Sequence, residues 1–197
     1  QLAVAGAELP FTTTHVSAAA GLVAWSLIET WRSGKPTVVG MATGAVAGLV
    51  GVTPAAGFVT PGAGMAIGAI TSLFCFASVQ VKVRLRFDDS LDTYAVHGVG
   101  GTIGALLTGV FASSELIAGH PAATVLIEQG RGALIVGQLQ AVLVAYGLAA
   151  VGTFIWRFAG VLLASRIPAQ SPLMDWVNTM AYAMVAIGIV GFVVWAH

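Results

Sequence analysis

Long apolar runs without a charge recur through this chain, and no other feature constrains its fold as strongly. A bilayer core demands about 20 such residues per helix. Six candidate spans meet that demand, at about Phe11–Trp31, Thr37–Val59, Gly62–Val81, Leu91–Ala112, Gly132–Ala164 and Leu173–Trp195. Turn chemistry separates them at Ser33-Gly34-Lys35-Pro36, Thr60-Pro61-Gly62, Asp88-Asp89-Ser90, the loop Ser113–Arg131 and Pro168–Pro172. Charged residues make up 8% of the chain and hydrophobic ones 57%, whereas an ordinary soluble domain carries roughly a quarter charged residues. A soluble enzyme is excluded, and the expected class is an all-α, polytopic membrane helix bundle. The fifth stretch exceeds what a bilayer needs, so it tilts or emerges before Arg166. Gln1–Pro10 has no basic start and contains Glu8, which does not fit a secretory signal. The chain opens without Met, almost within a span, so a further segment upstream is expected.

Charge placement orients the bundle. With alternating spans, Arg32, Lys35, Lys82, Arg84, Arg86, Arg157 and Arg166 fall on one side, and only Arg131 falls opposite. The positive-inside rule makes the basic side cytoplasmic, so the first span runs inward and the fourth runs outward. Eight basic residues balance eight acidic ones, which leaves no net field for nucleic acid or an acidic partner. The single cysteine, Cys75, excludes a disulfide framework and any multi-cysteine metal site. The lipid bilayer is the first partner implied.

Small residues form stripes along two spans, Gly40, Gly44, Gly48 and Gly51 in the second, and Gly100, Gly101, Gly104 and Gly109 in the fourth. In lipid, small residues let helix backbones approach closely. Tight helix packing and the lining of a narrow pore both fit these stripes.

Ionisable groups inside a membrane are costly and mark functional sites. His15, His97 and His197 fall within or at the ends of spans, and His97 lies two to three turns into the fourth. A neutral imidazole offers one donor and one acceptor, which suits an interhelical hydrogen bond, a pore relay for a small solute, or a metal or haem ligand. Asp88, Asp89, Ser90 and Asp92 crowd the start of that helix, where capping and the helix dipole favour acids. Thr53-Pro54 interrupts the second span near its outer end. Thr53 there either faces a vestibule or marks a proline kink.

These residues carry a resemblance. Gly34-Lys35-Pro36-Thr37, the run Gly44–Gly57 with Thr53-Pro54-Ala55-Ala56, then Asp88-Asp89, Asp92, Val96-His97-Gly98-Val99-Gly100-Gly101 and Leu107-Thr108-Gly109-Val110-Phe111 resemble the ammonium transporter (Amt/Mep/Rh) family. The likeness covers residues 1–168. It implies a pore for ammonium or ammonia built from two inverted five-helix repeats, assembled as a trimer, with no enzymatic activity and no cofactor. It also implies residence in the cell (inner) membrane, with a cytoplasmic regulatory protein as a candidate partner. By the same resemblance His97 matches the second of the family's twin pore histidines. Asp92 would sit at the inner start of the pore helix, Thr93 near its cytoplasmic exit and Thr53 near the outer vestibule. Thr12-Thr13-Thr14 falls where the family often has Thr-Asn-Thr.

The resemblance matches the family's second repeat alone. The expected organisation is therefore an ammonium-transporter-like half of five helices over 1–168, followed by an extra transmembrane segment over 169–197. A homotrimer, or assembly with a complementary repeat, would complete the path. Residues 181–197 resemble a segment of haem–copper oxidase subunit I, with His197 at the place of a copper ligand; the family's other ligands are not recognisable, and the segment reads as a membrane anchor. Three functions follow as expectations: an ammonium transporter or part of one, a non-conducting half that assembles with a full-length protomer, and a redox subunit using His15, His97 or His197.

Overall fold

The computed structural model describes residues 2–86, 88–89, 92–117 and 130–164, with 172, 175 and 179 as isolated positions. Every element among them is helical. The chain divides into two compact units, 1–144 and 145–197.

The first unit begins with α1, Leu2–Ser33. It stops where Gly34 takes a left-handed φ of 82° and donates its N–H to the Thr30 carbonyl at 2.8 Å, a glycine helix ending; Pro36 follows. Helix α2, Val38–Val52, is capped by Thr37, whose Oγ1 accepts the Gly40 N–H at 2.9 Å. Glu29 of α1 secures this corner, its carboxylate accepting the Thr37 N–H at 3.0 Å and the Thr37 hydroxyl at 2.8 Å.

Helix α2 is shorter than the span 37–59 expected from hydropathy. It has 15 residues, about 22 Å at 1.5 Å per residue, against the ~30 Å of a bilayer core. Pro54 explains the difference. Thr53 keeps helical dihedrals, φ −50° and ψ −48°, and donates its N–H to the Leu49 carbonyl; the ladder stops at Pro54, which has no N–H to continue it, and the chain turns through 53–58. Helix α3, Pro61–Leu85, starts with proline in its first turn behind the cap Thr60, where a missing N–H costs nothing. It ends at Arg86, with φ 53°. A π-helical turn, Tyr94–Gly98, leads into α4, Val99–Phe111. The loop after it contains a four-residue helix, α5, Ser114–Ile117. Helix α6, Arg131–Ala164, runs from the first unit into the second. The sixth expected span, Leu173–Trp195, lies outside the described residues apart from 175 and 179.

Glycine contacts set the packing. A Cβ on Gly48 would overlap the Ser17 and Ala18 backbone, and one on Gly44 would overlap Trp25, so α1 and α2 pack antiparallel at backbone distance. A Cβ on Gly64 would overlap Thr13 and one on Gly68 would overlap Ser17, so α1 and α3 run parallel. Their basic last turns, Arg32 on α1 and Lys82 and Arg84 on α3, therefore share one end. Gly104 meets the Gly51 backbone, which brings α4 alongside α2. The stripes are thus packing surfaces, with the exception of Gly101, where a Cβ would find open space. The core fills in two clusters, Trp25, Ala47, Cys75, Phe76 and Val96 in one, and Val52, Ala55, Val59 and Ile67 in the other. Trp25 and Phe76 meet edge to face at 5.1 Å, a favoured aromatic geometry.

In the second unit, α6 exposes Phe154, Ile155, Trp156, Phe158 and Val161. Four described helices, Glu8–Ser33, Pro61–Leu85, Tyr94–Phe111 and Arg131–Leu162, are long and apolar enough to cross a membrane. The chain is an integral membrane protein of the all-α class.

Candidate functional site

His97 sits inside the π-helical turn, and the segment ahead of it explains why. Arg86 and Asp92 both adopt φ 53°, a left-handed conformation uncommon outside glycine, and the second breaks the chain just before the helix. The span expected from Leu91 therefore starts later. His97 lies about one turn into the helix rather than two to three.

Asp89 meets this helix start. Its Oδ1 accepts the Thr93 N–H at 2.9 Å, and its Oδ2 accepts the N–H groups of Tyr94 at 2.9 Å and Ala95 at 3.4 Å. Three amides that would lack partners in the first turn are satisfied by one carboxylate, and its charge suits the positive end of the helix dipole. Lys82, near the end of α3, donates to the Asp89 main-chain carbonyl and to Asp92 Oδ1. It pairs with Asp92 as the one ion pair among the described residues. The acidic cluster is thus a cap and an ion pair.

Beyond the cap, the turn divides its side chains. Val96 is buried against Cys75, whose thiol reaches the Val96 carbonyl at 3.6 Å. His97 is exposed and, beside the edge of the largely buried Val96, lines a groove with Val38, Val39, Ala42, Thr43 and Val46 of α2. Apart from the imidazole, Thr43 supplies the groove's polar side chain; its hydroxyl donates to the Val39 carbonyl at 2.8 Å and keeps acceptor capacity.

Of the residues predicted from sequence, His97, Thr93 and Asp92 share this one segment. Thr93 is exposed, and Asp92 is committed to Lys82. Thr53 lies elsewhere, beyond the far end of α2 and about 15 Å along its axis from Thr43; it is exposed and donates its hydroxyl to the Leu49 carbonyl at 2.7 Å. His15 is exposed, with Nδ1 3.0 Å from the Phe11 carbonyl and its ring 4.1 Å from that of Phe11. His197 lies outside the described residues. No three His, Cys, Asp or Glu side chains converge as a metal site among the described residues.

Sequence reasoning uses Lys82 only as a topological charge and misses its place at the site, as it misses Thr43. Lys82 reaches its carboxylate across the α3–α4 connection, and Thr43 is an uncharged residue in an uncharged helix. Neither leaves a local signal.

The same segments match known proteins. The model of the Ammonium Transporter Family matches residues 2–175. The ammonium transporter of Bacillus subtilis (strain 168) is 40% identical over 146 residues, which are 74% of this chain and 35% of that protein. Ammonium transporter MEP2 of Saccharomyces cerevisiae is 48% identical over 102 residues, 51% of this chain and 20% of its own length. The crystal structure of Saccharomyces cerevisiae MEP2 superposes with a TM-score of 0.59 at 38% identity, over 68% of this chain and 32% of the other. A sensor Amt protein superposes at 0.65 with 27% identity, over 81% and 38%. The chain spans about a third of the length of these relatives, or less. Because the family match runs from the first residue of α1 past the end of α6, the chain belongs to the ammonium transporter family.

Proposed function

We propose that this chain supplies one wall of a transmembrane path for ammonium or ammonia, with His97 as its central polar group. The observation that carries this reading is the placement of His97, exposed on a groove of α2 whose other lining side chains are apolar except Thr43, within a bundle of this family. A bare ammonium charge is expensive in a narrow apolar passage. The ion would give up its proton at entry, and His97 would then hydrogen-bond neutral ammonia or relay the proton. In this reading Asp92 and Thr93 lie at the inner end of the path, Thr53 lies at the outer vestibule, and Thr43 adds an acceptor in the groove that His97 lines. The groove is open on one side, so a second wall is needed. A homotrimer, or assembly with a complementary repeat, would provide it, in the cell (inner) membrane and open to a cytoplasmic regulatory protein. Residues 1–168 act as the family's second repeat in this scheme, and 169–197 act as an added membrane segment.

The test is ammonium uptake in a strain without uptake of its own, carrying the gene in its native context. Substitution His97→Ala should lower uptake at least tenfold while leaving membrane assembly unchanged. Equal uptake by both would remove His97 from the path, and no uptake by the parent would overturn the transport reading.

A further inference from the structure

We propose that Asp89 and Lys82 are positioning residues that set the direction in which His97 faces, acting through the register of the π-helical turn. The significance for transport rests on the pore role of His97 argued above. A π-turn takes one residue more per turn than an α-turn and persists only where its surroundings over-determine it. Here the two sides are held independently. Downstream, α4 is pinned by close approach, since a Cβ at Gly104 would overlap the Gly51 backbone, and one at Gly100 would come within 3.1 Å of Cys75 Sγ and 3.3 Å of Val50, tighter than ordinary contact. Upstream, Asp89 holds the amides of Thr93, Tyr94 and Ala95, and Lys82 ties the Asp89 carbonyl and the Asp92 carboxylate to the end of α3.

The turn Tyr94–Gly98 absorbs the mismatch between these two anchorages. Its hydrogen bonding carries that mark, because the Val99 N–H is shared between the carbonyls of Tyr94 and Val96. Release of the upstream anchor leaves α4 in place and lets the extra residue slip out of the turn. An inserted residue corresponds to about 100° of rotation in an α-helix, so the segment ahead of α4 turns. Val96 and His97, now buried and exposed respectively, then lose their distinct faces.

The experiment reads that distinction without reference to transport. Variants His97→Cys and Val96→Cys are made in the full chain, in membranes, and labelled with N-ethylmaleimide; the buried native Cys75 serves as the folding control. With the clamp intact, the position-97 thiol should react at least tenfold faster than the position-96 thiol. Adding Lys82→Met or Asp89→Ala should bring the two rates within about threefold, and Lys82→Arg should restore the tenfold difference. Should Asp89→Ala expose Cys75 and so fail to fold, the Lys82→Met and Lys82→Arg pair decides the matter. A parent ratio near one, or a tenfold ratio that survives loss of the clamp, overturns the proposal. Failure of the pore reading shows separately, as uptake unchanged by His97→Ala while the labelling ratio still responds to Lys82.

Discussion

The Ser72 hydroxyl of α3 donates to the Gly21 carbonyl of α1 at 2.8 Å, with both groups in the buried seam between the helices. Ser17 repeats the arrangement, donating to the Gly48 carbonyl of α2 at 2.9 Å. Each hydroxyl bridges helices that already approach at backbone distance through glycine, so the polar bond and the close contact depend on each other. Substitutions Ser72→Ala and Ser17→Ala should each destabilise the bundle by about 0.6–1.5 kcal/mol. Denaturant titration in detergent, followed by tryptophan fluorescence, measures the effect.

Two glycines of α4 three residues apart should respond in opposite ways. A Cβ at Gly104 would fall on the Gly51 backbone, whereas one at Gly101 meets nothing within 4 Å. Backbone cannot yield as a side chain tip can, so Gly104→Val should cost about 3 kcal/mol or more and prevent α2 and α4 from packing. Gly101→Ala should be neutral, or stabilising by up to about 1 kcal/mol through helix propensity. Thermal unfolding of the two variants side by side decides it, and similar midpoints would mean that α4 does not pack on α2 through Gly104.

Cys75 is fully buried between Trp25, Phe76 and Val96. A membrane-permeant maleimide should leave it unmodified in the native bundle over a time that fully labels an exposed thiol. It should react at the rate of global opening once denaturant is added. Rapid native labelling, read by intact mass, would mean that the first core cluster is not closed.

The membrane class and the places of five helices are legible because apolar periodicity and turn residues act locally, although α2 falls short of a full span. Gly34, Pro36 and Pro61 end or begin helices where their backbone chemistry requires it. What stayed hidden was non-local or isosteric. Pro54 reads as a kink within a span that runs on to Val59, whereas α2 ends at Val52 and the chain turns at 53–58. The π-turn and the left-handed Asp92 ahead of it have no composition of their own, so hydropathy starts the fourth span at Leu91, a few residues before the helix itself begins. The glycine stripes looked alike, yet Gly101 faces open space while Gly104 lies on backbone. At the site, Asp89 is the cap that the acids ahead of His97 suggest, while Asp92 instead pairs with Lys82, a residue that in the sequence speaks only to topology.

The last prediction concerns sidedness, which the packing constrains more tightly than charge counting alone. Parallel α1 and α3 place Arg32, Lys82 and Arg84 at one end of the bundle, and exposed Ser33 closes α1 there. The other end holds the turn after α2, because the Ser113 N–H donates to the Phe58 carbonyl at 2.9 Å; the adjacent Ser114 is exposed. The positive-inside rule assigns the basic end to the cytoplasm. Added to intact cells, a membrane-impermeant thiol reagent should therefore modify Ser114→Cys and spare Ser33→Cys, with the pattern equalised after the cells are opened. Buried Cys75 contributes no background. Because both positions lie on one rigidly packed unit, labelling of Ser33→Cys alone would invert the whole bundle and put Asp92 and Thr93 on the outer side of His97. Labelling of both from outside would mean that the helices do not cross the membrane in alternation.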